Sequence, residues 1–428
     1  MRDRFIDWRG SVTFNRGQTD TVKPAPRLDA ATLRAIPPGI WALGFVSMLM
    51  DISSEMIHAL LPIYLVTVLG ASATTVGAIE GIAEATASVT KVFSGAISDW
   101  IGKRKLLAVL GYGLAAITKP VFPLAPTVGW LFAGRFIDRI GKGIRGAPRD
   151  ALVADIAPGH LRGASFGLRQ SLDTVGAFIG PLFAIALMWL TANHFKTVFW
   201  IAVVPAFLSL ALIVFSVHEP ERAPMLRKVK FPLHRDELIR LGRSYWLVVA
   251  VATVFTLARF SEAFLLLRAN QVGLPVMLVP AVLVVMNVVY SLAAYPAGVL
   301  ADDDGRYRVL VVGVGFLVLA DLVLAFAPGL GGVAVGVALW GLHMGFTQGL
   351  LATLVADTSP PELRGTAFGM FNVLTGGALL AASVVAGILW DTIGAHGTFL
   401  SGAALATVAL LGLFAIRRRI RDASRLNR

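Results

Sequence analysis

The sequence predicts an all-α polytopic membrane protein: twelve transmembrane helices in two six-helix bundles related by a parallel pseudo-two-fold repeat. Three observations carry this. Of 428 residues, 56% are hydrophobic and only 15% charged, with a mean hydropathy of +0.73. The apolar residues gather in runs of about 20, the length that spans a ~30 Å hydrocarbon core at ~1.5 Å per residue. The third observation is that the chain repeats itself. Leu152-Val-Ala-Asp155-Ile-Ala-Pro158-Gly-His-Leu161-Arg162-Gly163-Ala-Ser-Phe166-Gly167 recurs as Leu354-Val-Ala-Asp357-Thr-Ser-Pro360-Pro-Glu-Leu363-Arg364-Gly365-Thr-Ala-Phe368-Gly369, ten of sixteen positions being identical at an offset of 202. Gly95-Ala-Ile-Ser-Asp99-Trp-Ile-Gly102-Lys103-Arg104-Lys105 is echoed by Gly298-Val-Leu-Ala-Asp302-Asp-Asp-Gly305-Arg306-Tyr-Arg308 at an offset of 203. An even number of spans per half gives both copies the same orientation in the membrane and puts a site between them.

The elements follow in order. Residues 1–38 are polar and mixed in sign and read as a cytosolic tail. Spans are expected at about 40–69, 73–97, 106–124, 127–152, 163–190 and 197–217, forming a first bundle over 39–217. A polar cytoplasmic segment, 218–243, divides the chain. Six more spans, at about 245–267, 275–297, 309–327, 331–354, 365–389 and 397–416, form a second bundle over 244–416, before a basic cytosolic tail, 417–428. The connection between spans one and two, and every second one after it, is nearly free of basic residues; only Lys196 and Arg268 lie in or beside them. The other face collects Lys103, Arg104, Lys105, Arg162, the central segment, Arg306, Arg308, Arg364 and the C-terminal arginines. By the positive-inside rule that face and both termini are cytoplasmic, so an inner, plasma-membrane location is expected.

This topology accounts for the net charge of +12 as orientation and attraction to anionic headgroups, with no need for nucleic acid. The absence of cysteine removes disulfides, thiolate metal sites and a cysteine nucleophile. The 43 glycines suit close helix packing. Ile140-Gly-Lys-Gly143 lacks the spacing and hydroxyl of a phosphate-cradling loop, which excludes an ATP-driven pump. No zinc-hydrolase histidine pattern or triad is evident, so neither an enzyme nor a cofactor is expected.

The loop after span two, with Gly95, Asp99, Gly102, Lys103 and Arg104, resembles the G-x-L-a-D-r-x-G-r-[RK] loop of the major facilitator superfamily of secondary transporters, Trp100 departing from it. Arg135-Phe-Ile-Asp138-Arg139-Ile-Gly141 is similar to the family's span-four motif R-x-x-q-G-x-G, with Asp for Gln and Arg for Gly. Gly176-Ala-Phe-Ile-Gly180-Pro181 resembles the G-x-x-x-G-P motif of its proton-coupled exporters, with Ala184 and Ile185 in place of the trailing glycines. The resemblance covers nearly everything from residue 40 to 416 and implies alternating access between the bundles. It also implies a conformational latch at the loop motif and its second copy: Gly95, Asp99, Gly102, Lys103, Arg104, Asp302, Gly305 and Arg306. The plainer alternative for that motif is a topology anchor.

Charges inside the spans point to chemistry, since each costs at least ~2.5 kcal/mol at the bilayer centre. Asp51, Glu55 and His58 share one face of span one, and Glu80, Glu84 and Lys91 one face of span two. Counted along the helices, Asp51 and Glu55 lie ~16 and ~22 Å into the span, and Arg135 and Arg139 ~12 and ~18 Å. Carboxylates in such a place can exchange protons near neutral pH, so Asp51, Glu55 and Glu84 are the candidates for proton coupling. Arginines are permanently charged and fork-shaped, so Arg135, Arg139, Arg169 and Arg259 suit an anionic group. His58, Glu262, Trp340, His343 and Gln348 complete the expected solute site. Part of the charge is expected to be structural: Glu84 with Lys91, and Asp138 or Asp173 with nearby arginines. Lys91, Arg145 and Arg149 can snorkel to the interface. Ser261-Glu262 reproduces Ser54-Glu55 in the second half.

The expectation is a monomeric secondary transporter that moves a small anionic or zwitterionic organic solute, coupled to protons and favouring export, with membrane lipid as its other partner. Alternatives are a divalent metal exporter using Asp51, Glu55 and His58 with His343 or Glu262, a proton symporter importing an organic anion, and a transporter-like sensor.

Overall fold

The computed structural model describes residues 30–220, 235–302, 306–360 and 363–426. Along them twelve long helices follow one another. α1 is Pro38–His58, continued after a break by Leu61–Thr67; α2 is Ala73–Ile101; α3 is Arg104–Thr118, extended by the turn Val121–Leu124. α4 is Val128–Ile156, α5 Arg162–Leu190 and α6 Phe195–Ser216. α7 is Arg243–Ala258, resumed as Ala263–Gln271; α8 is Ala281–Asp302, α9 Arg306–Phe326, α10 Leu330–Asp357, α11 Arg364–Ile393 and α12 Ala395–Leu426. The described residues contain no β-strand.

Helix ends coincide with residues that stop helices. Gly102, at φ 70°, closes α2 in the left-handed region that glycine tolerates. Pro158 and Pro360 follow α4 and α10, so these helices run past the expected ends at 152 and 354. The basic segment after residue 416 has no such residue, and α12 stays helical through it to Leu426. Within α1, Pro62 has no N–H to give the His58 carbonyl, and the first segment ends at His58.

Helices α1, α5 and α6 pack together, as do α2, α3 and α4; joined through α3 and α6, they make the first bundle. α7, α11 and α12, and α8, α9 and α10, repeat that arrangement in the second. Among the described residues, ten helices are long and apolar enough to cross a membrane; α2 and α4 fall outside that set. The reason is charge, and these two helices pack against each other and pair their charges, Glu80 with Arg135 and Glu84 with Arg139. They therefore cross the membrane as a neutralised pair. Between bundles, α2 lies along α11 and α5 touches α8.

Candidate functional site

The charges of the first bundle form a ladder running down its interior. Near the face opposite the basic loops, Glu80 accepts from Arg135 at 2.8 Å, and both are wholly buried. His58 stands between two carboxylates, with Nδ1 3.4 Å from Glu55 and Nε2 3.5 Å from Glu80. One rung further in, Arg139 meets Glu84 at 3.1 Å. Beside it Lys119 donates to Asp138 at 2.9 Å and to Ser54 Oγ at 3.0 Å, fastening α3 to both α4 and α1. Toward the basic face the guanidinium of Arg145 covers the Tyr112 ring at 5.0 Å. Arg149 donates to Ser47 at 3.0 Å and approaches Asp173 at 3.6 Å, while Arg169 holds Gln170 at 2.6 Å and Asp173 at 3.4 Å.

Asp51 of α1 and Asp173 of α5 lie within electrostatic range of each other across the α1–α5 contact. Two carboxylates so placed repel, and the Arg149 and Arg169 guanidiniums beside Asp173 offset part of that repulsion. The Gly176…Gly180 motif makes this approach possible. A Cβ at Gly176 would lie 2.5 Å from the Met48 carbonyl, and one at Gly180 2.7 Å from the Glu55 Cβ. Small residues here let α1 and α5 lie backbone to backbone, which is what brings the two acids together.

Other charges face the space between the bundles without a counter-ion. Among the described residues, Lys142, Arg259 and Glu262 have no ion-pair partner within 4 Å. Lys142 is exposed although it lies deep in α4, within electrostatic range of Arg139, Glu84, Asp51 and Glu55. Glu262 is within range of Arg259 in its own bundle and of His58, Glu55 and Glu84 in the other. Arg259 to Glu262 is the stretch where α7 loses its helix. Ser383 of α11 accepts from the Ser261 N–H at 3.1 Å, and Ser261 Oγ from the Ala263 N–H at 3.2 Å, so side chains satisfy donors freed by the break.

The bundles are closed on the face opposite the basic loops. Asp391, at the end of α11, accepts from the first two amides of α2, Ala73 N–H at 3.0 Å and Thr74 N–H at 2.9 Å, and from the Thr74 hydroxyl at 2.6 Å. Ser72 takes the third amide, Thr75 N–H, at 3.1 Å. A second-bundle carboxylate thus completes the N-terminal cap of a first-bundle helix. Below it the two helices touch through glycine: a Cβ at Gly387 would lie 2.5 Å from Thr74 Cα, and one at Gly81 3.0 Å from Leu380. The second segment of α7, Ala263–Gln271, packs on Leu61–Thr67 of α1 and on α2. Toward the basic face Gly163, Gly167, Gly298 and Gly365 have open space around them.

Several expected site residues lie elsewhere. Arg135 is closed inside the bundle on Glu80. Glu84 pairs with Arg139 rather than Lys91, whose methylenes pass 3.7 Å from where a Gly146 side chain would begin. Asp138 takes Lys119, not an arginine. Trp340 and His343 are wholly buried in the second bundle; His343 Nδ1 faces the Gly313 carbonyl at 3.1 Å, and Gln348 is half-buried. Of the loop motif, Arg104 binds Asp155 at 2.7 Å and the Ala151 carbonyl at 3.0 Å, Lys103 is exposed, and Gly95 faces Ala147. Pro181 lies inside α5. The side chains of Asp99, Asp302 and Arg306, and Gly305 entirely, lie outside the described residues. Lys119, Asp391 and Asp321 are polar groups that sequence reasoning missed. Asp321, as a lone acid inside span nine, carried a signal that could have found it.

The residues named for a divalent ion are not gathered around a common point in this conformation. Both His58 nitrogens face carboxylates, and among the described residues no group of three His, Cys, Asp or Glu is arranged to hold a metal ion.

A twelve-helix, two-bundle membrane protein with a charged space at the bundle interface is a solute transporter by architecture. The family model of the Major Facilitator Superfamily matches residues 43–379 and 263–427, and the chain belongs to that family. It is 33% identical over 390 residues to an MFS-type transporter of Methanocaldococcus jannaschii, covering 89% of this chain and 96% of that one. It is 26% identical to the inner membrane transport protein YajR of Escherichia coli, covering 86% and 81%. Among solved structures, the nucleoside transporter NupG superposes with a TM-score of 0.72 at 14% identity, covering 89% of this chain and 99% of that one. The human organic anion transporter MFSD10 superposes with a TM-score of 0.63 at 17% identity, covering 88% and 100%. At these identities the two structures share the fold. The protein is a multi-pass membrane transporter working by alternating access.

Proposed function

We propose that this protein moves a small anionic or zwitterionic organic solute in exchange for protons, with export as its working direction. The observation that carries the reading is two cations without an ion-pair partner, Lys142 of the first bundle and Arg259 of the second, with Glu55 and Glu84 within range both of Lys142 and of Glu262, the neighbour of Arg259. A solute carboxylate or phosphate satisfies the two cations, and an ammonium on the same solute satisfies Glu262. His58 and the Glu84–Arg139 pair border the same space. The Asp51–Asp173 pair, with Glu55 nearby, supplies the exchangeable proton: solute charge arriving at Lys142 and Arg259 alters the field at Asp51, and that proton leaves or returns. The basic face is taken as cytoplasmic with both termini on it, the bundles as closed outside and open inside, and the unit as a monomer. The loop motif around Asp99, with its copy at Asp302, braces the same two bundles in the opposite access state. Export is supported by the likeness of Gly176…Gly180-Pro181 to the exporter motif.

The test is counterflow into proteoliposomes from a panel of labelled organic anions, zwitterions and cations. Uptake confined to anions or zwitterions, and abolished by Arg259→Ala, is expected. Uptake of cations alone, unchanged by that variant, would refute the assignment of the solute class.

A further inference from the structure

The second bundle holds a wholly buried acid that the solute pathway does not use. Asp321 lies on α9, wholly buried, with both carboxylate oxygens lacking any hydrogen-bond partner. Around it are Phe260, at the α7 break, and Gly402 of α12, where a Cβ would fall within 3.0 Å of Phe260 and 3.1 Å of the Asp321 carboxyl carbon. α9 and α10 run antiparallel with Leu324 opposite Gly336 and Thr347 opposite Gly313, a register that puts Asp321 level with Leu339 and Trp340. Two further buried atoms there have no partner, Trp340 Nε1 and His343 Nε2. The Trp340 ring is 5.5 Å from Phe260 and 6.2 Å from the His343 ring.

The charged and titratable groups near it are otherwise placed. Arg268 on the second segment of α7 donates to the Leu324 and Ala327 carbonyls, both at 3.0 Å, and to Gln271 at 2.9 Å. His343 on α10 turns Nδ1 to the Gly313 carbonyl, and His396 on α12 turns Nδ1 to the Ala325 carbonyl at 3.3 Å. Tyr290 and Tyr295 on α8, and Arg259 and Glu262 beside Phe260, make no hydrogen bond or ion pair with Asp321. An ionised carboxylate in apolar surroundings with no donor is far costlier than a neutral acid. A metal cation needs several oxygens, and one carboxylate among aromatic rings does not supply them.

We propose that Asp321 is a proton-binding site of the second bundle, held as a neutral acid in the access state seen here. In the opposite state, when α7 and α10 shift and water reaches the α7 break, the O–H bond breaks, the proton passes to that water and the carboxylate remains. Asp321 would then add a proton step in the half of the protein that has few charges. The inference concerns a group outside the solute site, and its readout requires no solute.

The test is infrared spectroscopy of the full chain in lipid, reading the C=O stretch of protonated carboxyls at neutral pH. A protonated-acid band present in the wild type and missing from Asp321→Asn is expected. Should Asp321→Asn fail to fold, Asp321→Glu keeps the acid and moves the band instead. The band should weaken in Asp391→Ala samples whose interbundle distances show the outer face open. A band indifferent to both substitutions at 321, or at full strength in such opened samples, would overturn the proposal.

Discussion

Replacing Asp391 by alanine removes a carboxylate that holds two amides and a hydroxyl of another bundle while touching nothing essential to either bundle alone. The stabilisation lost is that of an N-terminal cap. The residue is exposed, so the hydrogen bonds are counted at the value for a capping side chain, about 1 kcal/mol. A free energy of that size multiplies the population of the other access state about five-fold. Spin labels on cysteines replacing Val68 and Phe326, exposed near that face on different bundles, report the separation by pulsed electron resonance, and the native chain adds no cysteine background. Asp391→Ala should enlarge the long-distance population about five-fold. Thr74→Val, which loses only the hydroxyl bond, should do less. An unchanged distance distribution in Asp391→Ala would show that this contact does not bias the access state.

Three further outcomes follow from the ladder and the loop. Asp51→Asn or Glu55→Gln should abolish gradient-driven transport yet spare solute exchange at equilibrium, measured in the same proteoliposomes; loss of both activities would assign these acids to solute binding. Lys119→Met leaves Asp138 buried without its cation and should cost about 3–5 kcal/mol, seen as a lower thermal midpoint, with Lys119→Met/Asp138→Leu recovering most of it. Asp99→Asn should change the labelling rates of single cysteines on the two faces of the membrane; equal rates in wild type and variant would leave the motif as a topology anchor.

The twelve helices and their duplication were legible because hydropathy and internal identity are properties of the chain itself. Pairing is not. Spacings of four and seven along α2 correctly put Glu80, Glu84 and Lys91 on one face, but they suggested a partner on the same helix, whereas Arg139 reaches Glu84 from α4. Lys119, the one charge inside span three, carried the same signal as Asp321, but its partners Asp138 and Ser54 emerge only when α4 and α1 pack against it. Trp340 and His343 were expected at the solute as polar-tipped side chains within span ten, but both are buried inside the second bundle. The break at Arg259–Glu262 contains neither proline nor glycine, and its Ser261 N–H is satisfied by Ser383, 122 residues away. Asp391 likewise meets Ala73 across 318 residues, a distance at which sequence patterns carry no geometry.

In the proposed exchange solute and protons must move in opposite directions, and a pH-sensitive dye inside proteoliposomes reads this when a transported solute is added outside at equal starting pH. Solute entering must drive protons out, so the lumen should turn alkaline in wild type and stay unchanged in Asp51→Asn. A lumen that acidifies would show symport, and one that keeps its pH while labelled solute enters would contradict proton coupling altogether.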